Sequence, residues 1–357
     1  MSDNIIELES KEGKVSKVIK AKSFDILSSA LACCIFIVLQ IVMELLMNNL
    51  PGFIANSFLL SFLLSLLVEG VFFFTALSVA KIQDIDLYEA TDIKKKINGR
   101  TALICLIIAV ISLFAFSPLT NSFVYTLQKL GYKSEMGSIT IPNGLTYLIY
   151  VILVCVSPAI FEEFLFRGVI LNGLKKYGKH MAVFVSAFFF MIMHGGPDQT
   201  IHQFILGIVF GYVFVETKSL WSTILMHFFN NFYAVTMLFI LSLSGANQTE
   251  VVAEELPSWQ AIGLDLVIGL VLAAIGGYLI YLLIKALRKK KNEKEQVEKL
   301  LDSDINQVNI EELKELAGQK EEKKKVEPEN KKRITILFIT SVLYLVTIWI
   351  KTLIEGL

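Results

Sequence analysis

The sequence predicts an all-α fold, a polytopic bundle of eight to nine transmembrane helices. Hydrophobic residues make up 54% of the 357, and the mean hydropathy is +0.62. Phe alone contributes 26 residues. Apolar runs recur along the chain at about the 20-residue length that crosses a bilayer as a helix. These observations place the chain among multi-pass membrane proteins.

Each predicted helix is an apolar run bounded by polar or turn-forming residues. Pro51-Gly52, the Gly-Gly-Pro stretch at 195–197 and Gly245 mark connections. Pro158 lies inside the fourth run and predicts a kink or an unwound turn there. The predicted helices cover residues 25–47, 53–81, 101–118, 144–171, 181–197, 201–216, 219–243, 259–286 and 334–351.

The distribution of Lys and Arg predicts the orientation. The N-terminal stretch, the second and fourth connections and the region after Arg288 are basic-rich, whereas the alternate connections have few or no basic residues. By the positive-inside rule, the N-terminus is cytosolic and the chain crosses the cell membrane repeatedly. The first two dozen residues lack a short apolar core with a cleavage site, so we expect no removable signal peptide.

Charge and cysteine usage exclude other classes. Formal net charge is zero, and charged residues concentrate in a few segments, which argues against nucleic-acid binding. The four cysteines lie within apolar segments without metal-ligand spacing, and we interpret them as core residues. They are Cys33, Cys34, Cys105 and Cys155.

Three short polar patterns interrupt the apolar segments. They are Glu162-Glu163-x-x-x-Arg167, Phe190-x-x-x-His194 and His227-x-x-x-Asn231. Ionisable side chains are costly in hydrocarbon, so their concentration in adjacent spans indicates a buried functional site. At about 1.5 Å per residue, Glu162, His194, His227 and Asn231 lie in one slab, about 12–18 Å from the basic ends of their helices. Arg167 is expected nearer the cytosolic interface, with its stem extending toward it and its head facing Glu163.

The spacing within each pattern suits a different chemical role. Glu162 and Glu163 point about 100° apart, so their roles should differ. Glu163 and Arg167, at i,i+4, can form an ion pair and leave Glu162 available for proton transfer. His194 would share a water with Glu162. His227 and Asn231 share a helix face and can donate to an oxyanion. No Ser, Cys or Thr accompanies them in an evident motif, which favours direct attack by water.

The three patterns, in this order and each in its own apolar helix, resemble the CPBP family, the CAAX-prenyl-protease and bacteriocin-processing proteins also called Abi. The stretch from Gly211 to Asn231 strengthens the resemblance, which covers roughly residues 100 to 243. It implies a CAAX-protease-like catalytic core, with Glu162 and His194 activating water. It also implies that His227 and Asn231 stabilise the oxyanion, with Glu163 and Arg167 as supporting residues.

A catalytic zinc stays open as an alternative. Glu162, His194 and His227 form the minimum ligand set for such a site, with water in the fourth position. The chain has no His-Glu-x-x-His pattern, and Asn231 is a poor zinc ligand but a suitable oxyanion donor. Ligand chemistry therefore favours the metal-free version.

We therefore expect an intramembrane endopeptidase that acts on a membrane-associated peptide or protein, lipidated or hydrophobic, in the lipid bilayer. The main alternative is a non-proteolytic bacteriocin-immunity or membrane-scaffold protein of the same fold, and a third is a proton-coupled transporter. The predicted segments are a cytosolic N-terminal stretch (1–24), accessory helices (25–100), the protease core (101–243), the eighth helix (244–286), a charged cytosolic linker (287–333) and an accessory C-terminal helix (334–357).

Other features are interpreted as structural. Gly207 and Gly211 predict close packing of the sixth helix. The linker is expected to be partly helical, around 310–316, and the last helix can serve as an anchor, an oligomer contact or the binding site of a membrane partner. Acidic side chains in apolar helices without a motif are expected to be structural or interfacial: Glu44, Glu69 and Asp265.

Overall fold

The computed structural model describes residues 5–9, 15–19, 23–50, 58–133, 141–244, 256–305 and 328–357. Their architecture is a bundle of long helices, which confirms the predicted all-α class. A short antiparallel hairpin precedes the bundle, formed by β1 (Ile5–Glu9) and β2 (Val15–Ile19) with Ile5 opposite Ile19. The sequence analysis did not predict this hairpin.

Ten helices follow in chain order within the described ranges. They are α1 (Ile26–Asn48), α2 (Phe58–Gln83), the short α3 (Leu87–Ala90), α4 (Gly99–Lys129), α5 (Gly144–Tyr177), α6 (Lys179–Met193), α7 (Thr200–Thr217), α8 (Leu220–Leu243), α9 (Trp259–Ile305) and α10 (Pro328–Gly356). Among the described residues, eight helices are long and apolar enough to cross a membrane, and α6 is a shorter apolar helix. The chain is a multi-pass membrane protein.

Several helix ends differ from the prediction. α5 extends to Tyr177, and α10 runs from Pro328 to Gly356. α4 continues through Pro118 to Lys129, because neighbouring helices in a membrane bundle tolerate a missing helical hydrogen bond. α9 continues beyond its apolar run to Ile305, since Lys, Glu and Leu are strong helix formers. α6 ends earlier than expected, at Met193, where Gly195 adopts a left-handed φ of 73°.

The fourth predicted helix continues through Pro158 without an unwound turn, but its winding changes on either side of that residue. Within α5, π-helical turns at Val151–Val156 and Phe164–Leu171 flank an α-helical segment at Ser157–Glu163. Pro158 has no amide N–H, so it cannot donate to the carbonyl four residues earlier. The two glutamates therefore lie on a short α-helical segment between two wider turns, an arrangement frequent at functional sites.

Glycines allow close approach between helices at several positions. A methyl group on Gly207 would come within 2.9 Å of Ala187, and one on Gly211 would come within 2.9 Å of Val183. Both contacts join α7 to α6, which confirms the predicted packing. A methyl group on Gly276 of α9 would come even closer to Ala115 of α4. Small residues are the usual means of tight helix association in membranes.

The basic-rich connections gather at one end of the bundle. Asn172 donates 3.0 Å to the Ala90 carbonyl, and the Trp221 indole donates 2.8 Å to the Ile93 carbonyl. The connection after α2 therefore contacts both the end of α5 and the start of α8. At the opposite side of the bundle, α10 packs on α1 and α6, and the Trp349 indole donates to the Thr200 hydroxyl at 2.9 Å.

Several predictions lie outside the described residues. They concern the turns at Pro51-Gly52 and Gly245 and the helical stretch expected around 310–316. Most of the basic N-terminal segment also falls outside, apart from the hairpin strands.

Candidate active site

Glu162 and Glu163 face the interior of the bundle from the α-helical segment of α5. Their exposed fractions are 5% and 0%. Because the two side chains leave the helix about 100° apart, each meets a different set of neighbours. Glu162 faces the end of α6, and Glu163 faces α8.

Glu163 is the centre of a buried ion-pair network. Its Oε1 accepts from the Arg167 guanidinium at 2.7 Å, which is the i,i+4 pair expected from the sequence. The same oxygen accepts from Nδ1 of His227 at 3.0 Å. Arg167 also donates to the Gly207 carbonyl at 3.3 Å. The Glu163 carboxylate therefore joins α5 to α8, and its partner Arg167 joins α5 to α7.

Arg167 does not reach the membrane interface, contrary to the sequence-based expectation. Its side chain is 1% exposed and lies between two aromatic rings. The guanidinium carbon is 4.6 Å from the ring centre of Phe190 and 5.3 Å from that of Phe210. Rings from α6 and α7 cover the cation, so the Arg167 charge acts inside the bundle.

Phe190 connects the three sequence patterns. Besides covering Arg167, its ring centre lies 4.7 Å from that of His194 and 6.0 Å from that of His227. Phe190 is 1% exposed and packs against residues of neighbouring helices at the centre of the site.

Glu162 and His194 approach each other without a direct hydrogen bond. Oε2 of Glu162 lies 3.7 Å from Nε2 of His194. Nδ1 of His194 donates to the Phe190 carbonyl at 2.5 Å, so in the neutral ring Nε2 carries the lone pair that faces Glu162. Among the described residues, Oε2 of Glu162 has no hydrogen-bond partner. Two acceptors therefore face a shared space.

Asn231 lies on the same face of α8 as His227 but contacts a different part of α5. Its Nδ2 donates to the Val154 carbonyl at 2.8 Å, and its Oδ1 accepts from Asn230 at 3.2 Å. Pro158, four residues after Val154, has no N–H to donate to the Val154 carbonyl. Asn231 supplies a donor to that carbonyl, so its carboxamide is fixed beside Pro158.

Glu69 is a polar residue of this region that the sequence analysis treated as structural or interfacial. α2 packs against α5, where the Phe73 ring centre lies 5.2 Å from that of Phe164. One turn away on α2, the carboxylate of Glu69 interacts electrostatically with Glu162, and its Oε2 has no partner among the described residues. No motif in the sequence marks Glu69, since only the packing of α2 on α5 brings it here.

The zinc alternative requires Glu162, His194 and His227 to face a single point. Among the described residues, no group of three or more His, Cys, Asp or Glu side chains is positioned to hold a metal ion. His227 donates through Nδ1 to Glu163, a bond that zinc-ligating histidines also make through their second nitrogen, so it does not decide the question. As they are positioned, the three side chains do not fit one metal ion.

An apolar cavity of about 460 Å³ lies beside the site, between α5 and α8. Val156, Ala159 and Ile160 line it from α5, and Ile224 and Phe228 line it from α8. These residues flank the glutamate pair and His227 in sequence. The cavity therefore runs along the two helices that carry most of the polar groups.

Comparison with known families agrees with this geometry. Residues 144–233 match the family described as type II CAAX prenyl endopeptidase Rce1-like. Searches of curated proteins and of solved structures gave no significant match. The matched segment runs from the start of α5 into α8 and includes the whole polar cluster. Over residues 144–233, this multi-pass membrane protein is therefore similar to the Rce1-like CAAX endopeptidase family.

Proposed function

We propose that this protein is an intramembrane endopeptidase that hydrolyses a peptide bond with a water activated by Glu162 and His194. The observation that supports it is the 3.7 Å separation of Glu162 Oε2 and His194 Nε2, of which the carboxylate oxygen has no hydrogen-bond partner among the described residues. A water about 2.8 Å from each atom can donate one proton to each. Its oxygen lone pair then points away from both residues, toward a substrate.

The first chemical step is proton transfer coupled to attack. Glu162 accepts the proton of the water as its oxygen bonds to the substrate carbonyl carbon, and the carbonyl electrons move onto oxygen. His194 holds the water through Nε2, while the Phe190 carbonyl fixes the ring through Nδ1. The ring orientation is thus set by the backbone of α6.

The second requirement is stabilisation of the oxyanion. Asn231 uses one N–H for the Val154 carbonyl and keeps a second N–H for a substrate oxygen. His227 uses Nδ1 for Glu163, which leaves Nε2 as a donor when that nitrogen is protonated. Both side chains lie on one face of α8, and each is fixed by α5 before substrate binds.

Collapse of the tetrahedral intermediate returns the proton. Glu162 donates it to the leaving amide nitrogen as the carbon–nitrogen bond breaks, which yields an amine and a carboxylic acid. Glu163 and Arg167 support this step by holding α5, α7 and α8 in register. Atoms and charges balance without any further reactant.

The proposed substrate is membrane-associated, a lipidated or hydrophobic peptide or protein. The matched family is described by prenyl endopeptidase activity, and the cavity between α5 and α8 is lined almost entirely by apolar side chains. An extended apolar segment of substrate in that cavity would lie beside Glu162. The bilayer itself would deliver such a segment.

The test is cleavage by the full chain reconstituted in liposomes. A farnesylated CAAX peptide and an unlipidated hydrophobic peptide of the same sequence serve as substrates, with products measured by mass spectrometry. Glu162→Gln keeps the shape of the side chain but removes the base, and should lower kcat by about 10²–10⁴-fold. Glu44→Gln makes the same change in α1, away from the site, and should cleave like the wild type.

Equal cleavage by wild type and Glu162→Gln would reject the proposed mechanism. A wild type that cleaves neither peptide, yet confers a bacteriocin-immunity phenotype unchanged in Glu162→Gln, would support the scaffold alternative. Chelation provides a separate check, because no step of the proposed hydrolysis uses a metal. Activity that is lost on chelation and restored only by added zinc would contradict the metal-free chemistry.

A further inference from the structure

A second cavity, of about 730 Å³, lies on the opposite side of α7 from the ion-pair network. Ile208, Val209 and Tyr212 of α7 line it, whereas Gly207 and Phe210 of the same helix face Arg167. α4 and α9 form the other walls, through Phe116 and Ile280 among others. None of the proposed catalytic residues lines this cavity.

The depth of the cavity matches one leaflet of a bilayer. On α9 its lining extends from Gly277 to Arg288, and on α7 from Ile205 to Glu216. Each stretch covers eleven helical steps, about 16 Å at 1.5 Å per residue. The hydrocarbon of one leaflet is about 15 Å thick, half of the whole core. The cavity therefore reaches from the basic end of the bundle to roughly the middle of the membrane.

The cavity is apolar along its length and cationic at its rim. Lys179 and Glu216 form an ion pair at 3.4 Å, so their charges offset each other. Lys285 and Arg288 also line the rim, and neither forms an ion pair with any residue that the structure describes. Two cations thus remain at the mouth of an apolar cavity that is one leaflet deep.

We propose that this cavity binds an anionic phospholipid. One acyl chain lies along Val209, Ile280 and Ile284, and the phosphate is held by Lys285 and Arg288. The positive-inside rule places this end of the bundle in the cytosolic leaflet, where anionic lipids are found. A zwitterionic lipid would fill the apolar part equally well but would gain less from the two cations. Headgroup charge is therefore the distinguishing property.

Gly277 permits a test of the apolar part. A methyl group added at Gly277 meets no atom within 4 Å, so a larger side chain enters the cavity without disturbing the helix packing. Gly263 lies on the same helix with an equally open position and does not line the cavity. Gly277→Leu and Gly263→Leu therefore form a matched pair, one blocking the cavity and one leaving it open.

The experiment is native mass spectrometry of the detergent-solubilised full chain, titrated with dioleoyl phosphatidylglycerol or dioleoyl phosphatidylcholine. The wild type should retain phosphatidylglycerol preferentially. Lys285→Gln with Arg288→Gln should weaken its binding by about tenfold or more, with little effect on phosphatidylcholine. Lys81→Gln with Lys176→Gln removes the same charge from exposed positions outside the cavity and should leave binding unchanged. Gly277→Leu should weaken binding, and Gly263→Leu should not.

Equal retention of the two lipids, or equal loss in the Lys285/Arg288 and Lys81/Lys176 variants, would reject the proposal in favour of non-specific lipid. Displacement of phosphatidylglycerol by the farnesylated peptide, with a raised KM in Gly277→Leu, would also reject it and assign the cavity to the substrate. Because binding is measured without turnover, the result is independent of whether Glu162 and His194 activate water.

Discussion

The side-chain amide of Asn231 donates a 2.8 Å hydrogen bond to the backbone carbonyl of Val154. Pro158, four residues after Val154, has no N–H to offer that carbonyl, so α8 supplies the donor that α5 lacks. One carboxamide thereby serves the carbonyl beside Pro158 and, in the proposed mechanism, presents its second N–H to a substrate. Asn231 thus has a structural and a proposed catalytic role that can be separated by mutation.

The first prediction separates these two roles. Asn231→Ala should lower stability by about 1 kcal/mol, because a carbonyl loses its donor. In a Pro158→Ala background the new N–H can serve Val154, so the same substitution should cost less stability. Thermal unfolding in detergent measures the change in stability in each background. Asn231→Ala should also lower kcat, with Pro158 or with Ala at position 158, because it removes the proposed oxyanion donor. Recovery of kcat in the double variant would argue against an oxyanion role.

The second prediction concerns the buried pair of Glu163 and Arg167. Arg167→Met leaves an uncompensated carboxylate in the bundle and should destabilise the protein by about 3–5 kcal/mol. Adding Glu163→Gln to Arg167→Met should recover part of that loss, since it removes the unpaired charge. Chemical denaturation in mixed micelles compares the three variants.

An exposed pair with the same spacing serves as the control. Lys351 and Glu355 of α10 lie 3.6 Å apart with more than half of each side chain exposed. Lys351→Met should change stability by less than about 1 kcal/mol. Equal effects of Lys351→Met and Arg167→Met would mean that the Glu163–Arg167 pair contributes no more than a surface contact.

Much of the fold could be predicted from sequence, and so could the contacts of the site that lie within a single helix. Hydropathy marks the helices, because membrane spans need long apolar runs, and the i,i+4 spacing of Glu163 and Arg167 predicts their ion pair within one helix. Contacts between helices are different, since they depend on helix rotation and tilt. The hydrogen bond from His227 to Glu163 and the approach of Glu69 to Glu162 are set by packing that no local pattern encodes.

Arg167 illustrates why counting positions along a helix is insufficient. Its place near the basic end of α5 suggested that its side chain reaches the interface. In the structure, Phe190 and Phe210 cover the guanidinium from two other helices, and the Gly207 carbonyl accepts from it. The partners come from α6 and α7, so the burial of Arg167 is a property of the assembled bundle.

The third prediction tests the approach of α7 to α6 at Gly207. Gly207→Ala should destabilise the protein by about 1–3 kcal/mol, because the added methyl group would overlap Ala187. It should also lower activity, since α7 would carry the Gly207 carbonyl away from Arg167. Gly263→Ala in α9 meets no neighbour and should be neutral or stabilising by up to about 1 kcal/mol. A stabilising effect of both substitutions would show that the close approach at Gly207 is not required.

The last prediction concerns Phe190, which touches the proposed catalytic groups without taking part in the chemistry. Phe190→Leu removes the ring that covers Arg167 and packs against His194 and His227, so both imidazoles gain freedom. We expect kcat to fall by about 10-fold to 100-fold, as for other losses of catalytic orientation, with a smaller change in KM. Peptide cleavage in liposomes measures both constants.

Phe189 provides the matched control for Phe190. The two residues are adjacent and almost equally buried, at 2% and 1% exposed, but the Phe189 ring packs toward Phe338 of α10. Phe189→Leu should therefore lower the thermal stability about as much as Phe190→Leu, since each removes part of a buried ring, while kcat stays near that of the wild type. If the two substitutions lowered kcat equally, the effect would reflect general loosening of α6. Only a selective loss in Phe190→Leu would show that this ring orients the histidines.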